Sequence, residues 1–146
     1  MPSCDLVTIM FQKALKTFME KMTRAAQALS DETRLRILNA LTVKECCVCE
    51  MMQALEISQT RASRNLKILN DAGFLNMRTE GLYTLYSLVD GKTASFQADL
   101  LAVVRKELAA NKRARQDAAR LEKAKRVGPG CGPQKQPFRD AAANSA

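Results

Sequence analysis

Four helical stretches, a β-hairpin and a further helix follow one another in this sequence. That order predicts a mainly α chain with a β-hairpin wing, a winged helix-turn-helix. Three observations carry the expectation. Apolar residues recur at steps of three and four as far as Leu69. A tight connection at Ile57-Ser58 precedes a helix whose outer face is polar. The period then changes to strand-like on either side of Thr79-Glu80-Gly81.

The first helix spans residues 8 to 29, with Phe11, Ala14, Leu15, Phe18, Met19, Met22, Ala25, Ala26 and Leu29 on a broad apolar face. Ser30 has the chemistry of an N-cap, and Asp31 and Glu32 suit the positive end of the next helix dipole. That second helix turns Leu35, Leu38 and Leu41 inward. A third begins near Glu45, with Val48, Met51, Met52 and Leu55 inside and three cysteines in an exposed first turn. Ser58 caps a fourth helix over Gln59 to Ala72, which buries Ala62, Leu66 and Leu69 and stops at Gly73. Leu75 to Leu88 forms the hairpin. Helix resumes after Asp90-Gly91 and runs to about Lys125, with Phe96, Leu100, Val103, Val104 and Leu108 as its buried stripe. Beyond Leu108 the stripe thins to Ala114, Ala118 and Leu121, so that half reads as solvated. The expected organisation is a winged domain with flanking dimerisation helices over 1–108, a basic helical extension over 109–127 and a disordered Gly/Pro-containing tail over 128–146.

Composition narrows the function. The chain has 146 residues and no histidine. Imidazole acid–base chemistry, histidine triads and mixed Cys/His zinc sites are therefore excluded. No phosphate-cradling glycine loop or nucleophile elbow is present, so an enzyme is not expected, nor a small-molecule substrate. No apolar run suits a bilayer span or a signal peptide, which predicts a cytoplasmic protein without a membrane partner. In a reducing cytoplasm the five cysteines read as free thiols or ligands rather than a disulfide framework. The net charge of +8 is uneven: residues 105 to 126 hold nine basic and three acidic side chains. A polyanionic partner fits that balance, as does a merely solvated charged helix.

A helix that reads DNA needs cations for phosphates beside hydrogen-bonding groups for base edges. Ser58, Gln59, Thr60, Arg61, Ser63, Arg64 and Lys67 supply both, and the hairpin adds Arg78 and Tyr83. Ala28-Leu-Ser-Asp-Glu-Thr-Arg-Leu-Arg-Ile-Leu38, the run Glu45-Cys-Cys-Val-Cys-Glu50, Ile57-Ser-Gln-Thr-Arg-Ala-Ser-Arg-Asn-Leu66, Ala72-Gly-Phe-Leu75 and Gly81-Leu-Tyr-Thr-Leu-Tyr86 closely resemble the ArsR/SmtB family of metal-sensing repressors. The resemblance covers roughly residues 22 to 105. It implies a homodimer joined by its first and last helices, bound to double-stranded operator DNA and released by an ion. Asn65 departs from it, standing where many members carry histidine.

Arsenite-type and cadmium/lead-type members carry Glu-Leu-Cys-Val-Cys-Asp, which maps onto Glu45 to Glu50 and passes the ligand role to Cys47 and Cys49. Cys46 occupies the leucine position, and Met52 stands where arsenite sensors can carry a further cysteine. The third ligand is therefore open among Cys46, Cys131 and Cys4. On a regular helix Cys46 and Cys49 share a face while Cys47 and Cys49 diverge, so the inherited pair requires a distorted first turn. Soft thiolates without histidine favour arsenite or antimonite as inducer, with cadmium or lead as the alternative. Two rivals remain: a thiol-redox repressor of the same fold, which strained neighbouring cysteines disfavour, and a cysteine-based metal-buffering protein, which a DNA-reading helix disfavours.

Overall fold

The computed structural model describes residues 2–92 and 95–127, with side chains from residue 6 onward. In chain order the elements are α1 (Pro2–Leu29), α2 (Glu32–Ala40), α3 (Val48–Leu55), α4 (Gln59–Asp71), β1 (Leu75–Glu80), β2 (Tyr83–Leu88), α5 (Phe96–Leu108) and α6 (Lys112–Lys123). The expected tail over 128–146 and Cys131 lie outside the described residues, as does the side chain of Cys4.

α2, α3 and α4 enclose the core, built on Ile37, Leu38, Met51, Met52, Leu66, Leu69 and Phe74. Their ends are set by local hydrogen bonds. Asp31, rather than Ser30, caps α2 by accepting the Arg34 N–H at 3.0 Å. Ser30 instead donates its hydroxyl to the Gln27 carbonyl at 2.7 Å and closes α1. The Ser58 hydroxyl accepts the Arg61 N–H at 3.2 Å, the expected cap of α4. α4 stops before Gly73, whose φ of +88° suits only glycine comfortably. β1 and β2 pair antiparallel from Leu75↔Leu88 to Glu80↔Tyr83. The loop between them is Gly81-Leu82, one residue later than expected, with Gly81 at positive φ. This is a winged helix-turn-helix.

α1 is longer than its apolar pattern suggested, and its stripe stays in water: Phe11, Leu15, Phe18, Met19 and Met22 are all exposed. Its tie to the later helices includes an edge-to-face contact of Phe18 with Phe96, their ring centroids 6.3 Å apart. α5 is likewise shallow. Leu101 is its fully buried residue, while Val103, expected inside, is exposed.

The expected single last helix is two. The Asn111 side chain accepts the Ala114 N–H at 3.0 Å and starts α6 afresh. α6 folds back over α2 and α3 and buries Ala114, Asp117 and Leu121, so the half that read as solvated is packed. The binding device is polar, which is why an apolar stripe did not reveal it. The Asp117 carboxylate receives Arg36 Nε at 2.7 Å and Nη2 at 2.8 Å, and Arg120 Nη2 at 2.6 Å. Asn39 donates to the Ala114 carbonyl at 3.0 Å, and Arg120 Nε to that of Ala54 at 2.7 Å. Asp117 is completely buried. Asp117→Ala would strand a buried guanidinium and should lower the unfolding free energy by about 3 kcal/mol in urea titration of the full chain. A change within about 0.5 kcal/mol, the range of surface substitutions, would refute that role for the pair.

Candidate nucleic-acid interface and cysteine site

The polar face of α4 opens onto a shallow cavity of about 420 Å³ whose lining includes Arg34, Ser58, Thr60, Arg61 and Arg64. Thr60, Ser63 and Arg64 are exposed, and Gln59 is half-exposed. Arg61 donates to the Thr33 hydroxyl at 2.8 Å, which holds its guanidinium against α2. Lys67 pairs with Asp71 at 3.2 Å, one turn along the helix. Asn65 is buried. Its Oδ1 accepts Arg34 Nη1 at 3.1 Å and its Nδ2 donates to the Arg61 carbonyl at 2.9 Å, so the departure from histidine serves an internal contact between α2 and α4.

The wing residues face other demands. Arg78 forms ion pairs with Glu45 and Glu80. Its hydrogen bond to Glu45 raises the guanidinium above its ordinary range and holds the Glu45 carboxyl below its own. Tyr83 is half-buried, with the Arg126 guanidinium 5.3 Å from its ring centroid.

The cysteines are arranged differently from a helical first turn. Cys46 precedes the helix in a backbone bridge to Tyr86, donating at 3.0 Å and accepting at 2.8 Å. Cys47 is the extended N-cap of α3, at φ −88° and ψ 174°, and Cys49 lies in the first helical turn. All three are buried rather than exposed. Because Cys47 stands off the helical path, its sulfur reaches that of Cys49 at 2.9 Å without distortion of α3. Cys46 does not share a face with Cys49; its side chain sits in the main core, whereas Cys47 and Cys49 pack with Leu85 and Tyr83. Cys46 and Cys47 are in the thiol form and Cys49 is disulfide-bonded, so thiolate chemistry at Cys49 requires reduction.

A charged lattice surrounds the pair. The Glu50 carboxylate accepts the Cys47 N–H at 3.2 Å and pairs with Lys44 at 2.8 Å and Arg126 at 3.3 Å. Burial pushes the Glu50 carboxyl up, but Lys44, the Cys47 N–H and Arg126 outweigh it and the net shift is downward. Burial pushes the Cys47 and Cys46 thiols above the ordinary range, and the nearby Glu50 charge adds to the rise. Among the described residues, no group of three His, Cys, Asp or Glu side chains is placed to hold a metal ion. Glu50 was visible in the cysteine run, yet nothing in the sequence pointed to Arg126.

Residues 31–77 match the family model described as bacterial regulatory protein, arsR family. The chain is 33% identical over 98 residues to the transcriptional repressor SmtB homolog of Synechocystis, covering 62% of this chain and 74% of that protein. It is 31% identical over 87 residues to the arsenical resistance operon repressor of Bacillus subtilis, covering 59% of this chain and 83% of that repressor. The chain belongs to the ArsR family. A cadmium resistance transcriptional regulatory protein CadC homolog of Staphylococcus aureus is 37% identical over 70 residues, 47% of this chain and 58% of that protein. ArsR-family members are DNA-binding transcriptional regulators rather than enzymes. No helix among the described residues is long and apolar enough to cross a membrane.

Among the described residues the exposed Arg64 makes no ion pair, whereas Arg78 is neutralised by Glu45 and Glu80. Arg64→Ala should therefore reduce the slope of log affinity against log salt on a mixed-sequence duplex by about one unit. Arg78→Ala should reduce it less. Equal slopes for Arg64→Ala and the wild type would remove Arg64 from the phosphate contacts.

Proposed function

We propose that the chain is a cytoplasmic, homodimeric repressor that binds operator DNA through α4 and the hairpin and releases it when arsenite or antimonite binds Cys47 and Cys49. The reading keeps the winged domain within 1–108 and treats 109–127 as its basic extension, docked through α6. The approach of the Cys47 and Cys49 sulfurs carries it. A soft ion about 2.3 Å from each sulfur, the length of a zinc–thiolate bond, spaces them about 3.5 Å apart. That is a small opening from the observed 2.9 Å. The relatives' names include arsenical and cadmium resistance, so cadmium or lead is the competing inducer. The disulfide at Cys49 favours one second reading, release by thiol oxidation.

In phosphine-reduced protein, the Cys47→Ser/Cys49→Ser double variant should bind the operator and remain bound at arsenite concentrations that release the wild type. Release of that variant at the wild-type concentration would place the sensing site elsewhere. Release by a thiol oxidant with no ion present would favour the redox reading.

Protonation separates the inducers. The Cys47 thiol, raised by burial, is protonated at neutral pH. Arsenous acid exchanges hydroxide for thiolate and expels water, so its apparent affinity should be nearly flat between pH 6.5 and about 7.5. Cadmium displaces a proton from each protonated thiol, and its affinity should climb about tenfold per pH unit for each. Calorimetry in buffers of different ionisation enthalpy measures the proton count directly.

A further inference from the structure

Arg126 stands where the cysteine region and the wing meet. We infer that it is the positioning residue through which the Cys47–Cys49 pair sets the wing's grip on DNA phosphates. The inference rests on the ion-release reading above and adds the route by which release reaches the wing.

Ion pairs run unbroken from the start of α3 to the hairpin. Lys44 pairs with Glu50 at 2.8 Å, and Glu50 with Arg126 at 3.3 Å. Arg126 reaches on to Glu80 at 3.7 Å, Glu80 to Arg78 at 3.1 Å, and Arg78 to Glu45. Three cations face three carboxylates, so the chain is neutral, and each group between its ends has two partners. Arg126 also lies over the ring of Tyr83, which pairs with Glu80 across the hairpin. At both carboxylates it shares a single oxygen with a second donor. Glu50 Oε1 also accepts the Cys47 N–H, and Glu80 Oε2 also accepts Arg78 Nη2.

The two ends differ in exposure, which gives the chain its direction. The Glu50 side chain is 4% exposed, whereas those of Glu80 and Arg78 are each 52% exposed. A buried carboxylate that loses a donor must regain one, while an exposed ion pair exchanges partners with water or phosphate at little cost. An ion that parts the two sulfurs from 2.9 Å shifts the Cys47 cap and takes its N–H off Glu50. Arg126 then closes on Glu50 and gives up Glu80. Glu80 passes wholly to Arg78, and the guanidinium is withdrawn from the phosphates. Without the ion, Arg126 holds part of Glu80 and leaves Arg78 able to trade that carboxylate for DNA.

The test is salt-dependent binding of a mixed-sequence duplex by the full-length, phosphine-reduced protein, followed by release of an operator duplex with arsenite. Arg126→Gln should make the slope of log affinity against log salt shallower, by no more than Arg78→Ala does, and Arg126→Lys should restore it. In the Arg78→Ala background Arg126→Gln should change the slope no further, because its effect passes through Arg78. Arsenite should raise the operator Kd of Arg126→Gln at least about twofold less than that of the wild type, the low end of what one residue in a coupling network contributes. Slopes that add in the double variant mark a direct phosphate contact by Arg126 and overturn the inference. An equal arsenite effect in Arg126→Gln and the wild type also overturns it and leaves the ion-release reading standing. An arsenite series that never shifts the wild-type Kd overturns both.

Discussion

The buried carboxylate of Glu50 is the interaction on which the cysteine region depends. Moving a carboxylate out of water costs several kcal/mol unless donors replace the water. Here they come from two parts of the chain: Lys44 and the Cys47 backbone just before α3, and Arg126 after α6. One ion cluster therefore holds Cys47 at its cap, closes the start of α3 and anchors the irregular segment leaving α6. Lys44 approaches from solvent and Arg126 is partly exposed, so this is a semi-open ion cluster with room to exchange partners.

Local chemistry made α4 and the hairpin readable. Ser58 caps, Gly73 stops and Gly81 turns, each through contacts within a few residues. The features missed are set by residues far apart in sequence. The start of α3 is delayed to Val48 because Cys46 pairs with Tyr86, a bridge that no periodicity encodes. α6 looked solvated because its anchor is an aspartate whose partner, Arg36, lies 81 residues earlier. The motif singled out Cys47 and Cys49, whose sulfurs lie 2.9 Å apart, but helical geometry applied to them misled, since Cys47 is not yet in the helix.

On the proposed function, this departure from helical geometry supplies the coupling. α3, eight residues or about 12 Å long, begins at the cysteine pair and ends at the turn into α4. Glu56 closes that turn in the left-handed conformation, and Leu55, Ile57 and Leu66 share the same core. A displacement of residues 46–49 also reaches the wing, because Cys46 is hydrogen-bonded to β2. Both DNA-reading elements are thus attached to one short segment. Transmission needs only the movement of a small packed helix, a rigid body in a close-packed interior.

On the proposed homodimer, the long exposed stripe of α1 would tie folding to abundance. Leu6, Val7, Ile9, Met10, Phe11, Leu15, Phe18, Met19 and Met22 all face water in the single chain. A helix gains most of its stability from packing such a face, so a projecting helix without a partner frays. In the proposed homodimer, with two copies covering one another's stripes, ordering of α1 would be a bimolecular event whose extent follows the amount of protein present. As the copies thin out, such a molecule would lose helix before it loses its wing.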